Sequence, residues 1–152
     1  MSMRLDYEHY APQGMKAFGG VHVYVAGSGL PKKLINLVYL RASQINGCTY
    51  CIATHSHDLL AEGETVDKLM LLSSWREAGA WFSPRERAAL AWTEAVTLVS
   101  STHVPDDVFE AARAEFDEKA LSDLTIAIGL INAYNRIAIS FRRGPGDPPA
   151  PA

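Results

Sequence analysis

Apolar positions recur along most of this chain at helical spacing. From Lys32 to Gln44, the residues Leu34, Ile35, Leu37, Val38, Leu40 and Ala42 cover most of a helical circumference, which predicts a buried helix. Gly29 and Pro31 precede it as start signals, and Asn46-Gly47 ends it. A second helix begins there and continues through Leu59, Leu60 and Ala61 to Glu62-Gly63. Thr65 can cap a third, carrying Val66, Leu69, Met70, Leu71, Leu72 and Trp75, and Ala78-Gly79-Ala80 breaks it. Ser83-Pro84-Arg85-Glu86 combines a capping serine, a proline at the first helical position and a glutamate three after the serine. The helix it opens runs to about Val99, and a shorter one follows Pro105. Ser122 and Asp123 can cap the last helix, apolar nearly all round, from Leu124 to about Arg142.

One stretch fits less well. Val21-His22-Val23-Tyr24-Val25 alternates as a strand would, but no partner strand appears nearby, so context favours a helix. Residues 1–13 read as an arm that packs late. Residues 144–152, rich in proline and glycine, read as a disordered tail. The expectation is an all-α domain over 1–143, with six to seven helices, assembling as a homo-oligomer. The polar residues Asn132, Asn135, Arg136 and Ser140 interrupt the last helix and argue against a membrane span.

Composition narrows the function. The chain has 152 residues, enough for one core, and its net charge of -3 gives no nucleic-acid footprint. The N-terminus has no apolar signal core, so a reducing, cytoplasmic setting is expected. In that setting two cysteines favour chemistry over a structural disulfide.

Those cysteines are Cys48 and Cys51, and His55 follows. Steps of three and then four residues place all three on one helix face, just after Asn46-Gly47. The positive end of a helix dipole favours thiolate, and an imidazole can carry the proton. The pattern therefore reads as a redox-active dithiol. Two alternatives compete with it. The cysteines could be buried small hydrophobes. Cys48, Cys51, His55 and His57 could hold zinc, although structural zinc sites usually draw ligands from two pieces of chain. A thioredoxin fold would need a strand before the motif, and the preceding segment is helical in pattern.

The segment Arg41-Ala42-Ser43-Gln44-Ile45-Asn46-Gly47-Cys48-Thr49-Tyr50-Cys51 with His55 resembles the alkylhydroperoxidase D-like branch of the carboxymuconolactone decarboxylase superfamily. Trp75-Arg76-Glu77, the segment from Glu86 to Trp92, and Asn132-Ala133-Tyr134-Asn135-Arg136 agree with it. The resemblance implies an all-helical homo-trimer or homo-hexamer that reduces hydroperoxides. It implies Cys51 as the peroxide-attacking thiol, Cys48 as the resolving thiol and His55 as proton carrier. The helix dipole alone would favour Cys48 as the more acidic thiol. The resemblance further implies no bound cofactor and a dithiol such as dihydrolipoamide, or a small redox protein, as reductant.

One position departs from the family pattern. Many dithiol members carry a relay glutamate twelve residues before the first cysteine, where this chain has Asn36. An amide cannot act as general acid or base. Glu86 and Glu94 are candidates for a replacement carboxylate, though Glu86 more simply closes its capping box and Glu94 reads as a solvated helix residue. Tyr50 reads as packing, and His57 as exposed. Asn132, Asn135 and Arg136 read as satisfying buried polar groups or an oligomer contact. Lactone decarboxylation and a non-catalytic helical binding protein remain the other functional readings, the second kept open by Asn36.

Overall fold

A computed structural model describes residues 2–146. Nine α-helices and two short 3-10 turns make up the fold, with no strand among the described residues. The helices are α1 (Tyr7–Tyr10), α2 (Pro12–Ala26), α3 (Lys32–Asn46), α4 (Thr49–Ala61), α5 (Val66–Leu71), α6 (Pro84–Thr97), α7 (Val99–Thr102), α8 (Asp106–Glu115) and α9 (Glu118–Phe141). The all-α expectation holds, but the count exceeds the six or seven expected. The excess is α1 and α7, each a single turn of four residues, too short to show a periodic pattern.

Helix α3 is the axis of the fold. It packs against α4, α6 and α9, and Leu34 through Leu40 are all buried. One core cluster joins α3 to α9 through Val38, Ala42, Leu124, Ile128 and Ile131, and contains both cysteines. A second lies on the other side of α3, where Leu37 and Leu40 meet Leu59, Leu72, Trp75, Phe82 and Leu90. Burial on two sides explains why α3 is apolar around most of its circumference.

Local signals set most boundaries. Ser83 and Glu86 form the complete capping box, with Ser83 Oγ accepting from the Glu86 N–H at 3.2 Å and Glu86 accepting from the Ser83 N–H at 2.8 Å. Two boundaries differ from expectation. Helix α9 starts at Glu118, capped by Asp117, whose carboxylate accepts the Ala120 N–H at 2.7 Å. Ser122 and Asp123 therefore lie inside the helix. The Ser122 hydroxyl donates back to the Glu118 carbonyl, and Asp123 is buried against Tyr24 and Lys119. The segment after Thr65 stays α-helical only to Leu71, then tightens into a 3-10 turn at Leu72–Ser74 before Trp75.

The alternating segment Val21–Val25 is helical, within α2. Only Val25 of it is buried; Val23 is 71% exposed and Tyr24 52%. Strand propensity yields here because no neighbouring strand offers a ladder. The expected tail, 144–152, follows the end of α9, and from residue 147 onward it lies outside the described residues.

Candidate functional site: a dithiol between two polar helix faces

The turn between α3 and α4 builds the dithiol. Gly47 takes the left-handed conformation, with φ of 73°, which glycine adopts without a Cβ penalty. The Gly47 N–H reaches the Gln44 carbonyl at 3.3 Å, and the Cys48 N–H reaches the Ser43 carbonyl at 3.0 Å. These two bonds form the double closure of a Schellman ending. Cys48 thus finishes α3 and also serves as the cap of α4, where its Sγ accepts the Cys51 N–H at 3.4 Å. The two sulfurs are joined in a disulfide, with Cα atoms 5.4 Å apart. Both residues are buried, Cys48 at 1% exposure and Cys51 at 4%. Cys48 sits at the cap, one position before the first helical turn on which the sequence pattern placed it.

Two facing polar columns run from this turn toward solvent. On α3 they are Ser43, Tyr39, Asn36 and Lys32; on α4 and its C-cap they are Cys51, His55, Asp58 and Glu62. Each set is spaced by four, three and four residues, the repeat of a single helix face. The His55 ring packs on the Tyr39 ring with centroids 4.9 Å apart. His55 Nδ1 lies 3.3 Å from Asn36 Oδ1 and 3.6 Å from Asp58 Oδ2. Asn36 Nδ2 donates to Glu62 Oε1 at 2.8 Å, and the Lys32 ammonium lies 3.0 Å from the same oxygen.

Asn36 therefore stands between His55 and a carboxylate. That carboxylate is Glu62, not Glu86 or Glu94. Glu86 is occupied by its capping box and by Lys68, at 2.7 Å. Glu94 is not a solvated helix residue: its carboxylate accepts from Trp75 Nε1 and Arg41 Nε, each at 2.8 Å, and pairs with Arg76. The sequence does carry a signal for Glu62. It lies seven residues after His55, two turns along the same face, at the helix end marked by Gly63.

The electrostatics follow the geometry. The His55 imidazole, with Nδ1 3.6 Å from Oδ2, holds the Asp58 carboxyl below its usual range, against the opposing effect of burial. Burial pushes the Tyr39 hydroxyl well above the ordinary tyrosine range, with Tyr134 adding to it. Tyr39 Oη and Glu62 Oε2 are both buried with no hydrogen-bond partner among the described residues. Tyr50 and Tyr134 pack against the core cluster that holds the cysteines. The Arg143 guanidinium stacks on the Tyr50 ring at 4.2 Å and bonds the Tyr7 hydroxyl at 2.7 Å. His57 is exposed. Among the described residues, no group of three or more His, Cys, Asp or Glu is placed to hold a metal ion.

Residues 11–95, which include the whole dithiol turn and both polar columns, match the carboxymuconolactone decarboxylase family. The chain belongs to that family. Within it, an uncharacterised Bacillus subtilis protein, YdfG, is 38% identical over 141 residues, spanning 93% of this chain and 95% of its own. A crystal structure of a protein of unknown function from Agrobacterium tumefaciens, provisionally assigned to antioxidant defence as AhpD, superposes with a TM-score of 0.91. It is 39% identical and covers 96% of this chain and all of its own. A Ralstonia eutropha structure described as an alkylhydroperoxidase AhpD core shares the fold at a TM-score of 0.79. Its identity is 24%, over 92% of this chain and 74% of its own, so that likeness concerns fold alone. The recognition made from the dithiol motif and its flanking segments therefore stands, at the level of the family and its AhpD-like fold.

Proposed function

We propose that this protein is a cysteine-based peroxidase that reduces hydroperoxides through Cys48, Cys51 and His55. The observation that carries the reading is the bonded Cys48–Cys51 pair at the head of α4, one turn before a histidine whose Nδ1 is held by Asn36. By sequence alone, the Asn36 amide weakens a catalytic reading. Its contacts support one, because an amide that anchors Nδ1 of an imidazole leaves Nε2 free for proton transfer.

In the cycle, His55 takes the Cys51 thiol proton. The thiolate sulfur attacks the outer peroxide oxygen, an S–O bond forms as the O–O bond breaks, and the departing alkoxide collects the proton from His55. Cys51 is now a sulfenic acid. The Cys48 thiol attacks its sulfur, giving the disulfide and one water. A dithiol reductant of the dihydrolipoamide kind restores both thiols by exchange and leaves as its own disulfide. The same reading takes the protein as a homo-oligomer, supported by the apolar surface that α2 and α9 expose through Val21, Val23, Tyr24, Ile126 and Ile139.

The test is peroxide consumption with dihydrolipoamide, for the wild type beside Cys51→Ser and Cys48→Ser. Turnover in the wild type and background rates in both variants support the dithiol cycle. In Cys48→Ser a sulfenic acid should accumulate on Cys51 and be trapped by a dicarbonyl reagent. A trapped adduct on Cys48 in the Cys51→Ser variant reverses the two roles. An inert wild type with free, reducible thiols rejects the peroxidase reading for this reductant.

A further inference from the structure

We infer that Glu62 is a positioning residue that fixes the tautomer of His55, acting through the amide of Asn36. The inference rests on the peroxidase reading for its consequence, but its physical content stands apart from it. A carboxylate offers only acceptors, so the Asn36 group facing Glu62 must be its NH2. That leaves the Asn36 oxygen, an acceptor, facing His55 Nδ1 at 3.3 Å. An acceptor there requires Nδ1 to carry the proton. Nε2 is then bare and is the nitrogen that can take a thiol proton. Without Glu62 the amide loses the contact that orients it, and a turned Asn36 would offer NH2 to a bare Nδ1, opposed by the Asp58 carboxylate at 3.6 Å. The proton would then sit on Nε2, the wrong nitrogen for a base.

The placement suits this task. Glu62 follows the last residue of α4, where Gly63, with φ of 80°, lets the Glu64 N–H close onto the Leu59 carbonyl at 2.9 Å. This second Schellman ending holds the Glu62 backbone against α3. Asn36 is 6% exposed, so solvent does little to orient it. The Lys32 ammonium lies 3.0 Å from Glu62 Oε1. Asp58 is the other acceptor near Nδ1, but it stands off at 3.6 Å with its side chain 47% exposed. The position on α3 beside His55 thus holds an amide, and a carboxylate from the end of α4 stands behind it.

The experiment reads the tautomer directly. Protein labelled with 15N-histidine, in the disulfide form, is compared by long-range 1H–15N correlation for wild type, Glu62→Ala and Glu62→Gln. The expected wild-type spectrum shows His55 protonated at Nδ1 and bare at Nε2. Glu62→Ala should move the population toward Nε2–H. Glu62→Gln, whose amide oxygen can still accept from Asn36, should restore the wild-type pattern, which a merely structural defect would not explain. Peroxide turnover should fall on the order of tenfold in Glu62→Ala and recover in part in Glu62→Gln, as expected when a general base is partly in the wrong form. A wild-type His55 protonated at Nε2 overturns the inference. So does an unchanged tautomer in Glu62→Ala, which would hand the task to Asp58. If the spectra behave as expected while the wild type consumes no peroxide, the positioning role stands and the peroxidase reading falls.

Discussion

Helix α3 takes part in two polar regions that are built to opposite rules. At its C-terminal end, Asn46 Nδ2 donates to Asn132 Oδ1 at 3.0 Å and to Asn135 Oδ1 at 2.9 Å. Asn135 Nδ2 donates to Ser43 Oγ, and Asn132 Nδ2 to Thr97 Oγ1, each at 3.0 Å. The Arg136 guanidinium bonds the backbone and side-chain oxygens of Asn132. This network ties α3 to α9 and α6, and each of these amides is bonded to its neighbours. The column facing α4 is the reverse. It places Tyr39 Oη and Glu62 Oε2 out of solvent with no partner among the described residues. A satisfied buried network costs little and fixes helices in register. An unsatisfied one costs stability and persists where its groups serve another purpose. The first region sets where the dithiol turn sits; the second keeps polar atoms available beside it.

Breaking the satisfied region should produce the largest loss. Asn135→Ala removes a residue of 0% exposure and leaves Asn46 and Ser43 short of partners. A loss of about 3 kcal/mol in urea unfolding is expected from two stranded polar groups. An unchanged midpoint would show that the network does not hold the helices. Glu94 offers a charged version of the same rule. Burial works to raise its carboxyl, but hydrogen bonds from Trp75, Arg76 and Arg41 outweigh that and hold it below the ordinary range. A depressed carboxyl adds stability that is fully present above its unfolded value and is lost as pH falls through the folded one. Glu94→Gln should therefore cost about 2 kcal/mol near neutrality, and the gap to wild type should close as pH drops below 4.5. A gap independent of pH would sink the charge-based account.

The unsatisfied region should respond in activity more than in stability. Asn36→Ala is expected to lower peroxide turnover about tenfold, the scale of a misplaced general base, with a stability change of about 1 kcal/mol. The reverse balance, a large unfolding shift with full turnover, would place Asn36 with the structural network. Tyr39→Phe removes a hydroxyl that has no partner among the described residues, so stability should stay level or rise by up to about 1 kcal/mol; a clear loss would reveal a bond the geometry does not contain. Lys32→Ala, at the solvent end with its side chain 80% exposed, should leave the unfolding midpoint unchanged. A shifted midpoint would mean that the column reaches further into the fold's stability than its contacts indicate.

Local chemistry made several parts of this protein legible from the chain. The left-handed turn at Gly47, the capping box at Ser83 and Glu86, and the helical spacing of Cys48, Cys51 and His55 depend on residues a few positions apart. So does the apolar surround of α3, which reports burial on more than one side. The structure decided what depends on how one helix is rotated and slid against another. Asn36 alone reads as a lost glutamate; only the antiparallel register of α3 and α4 shows Glu62 behind it. Glu94 alone reads as a surface residue; only the packing of α3 and Trp75 on α6 surrounds it with donors. Helix α9 starts after Asp117 and not at Ser122-Asp123, and Asp123 inside it is engaged in a part-buried pairing with Tyr24, 99 residues apart. Caps, turns and periodicity are written into neighbouring residues. Which side chain meets which across two helices is set by the packing of the whole core, and no short window of sequence contains it.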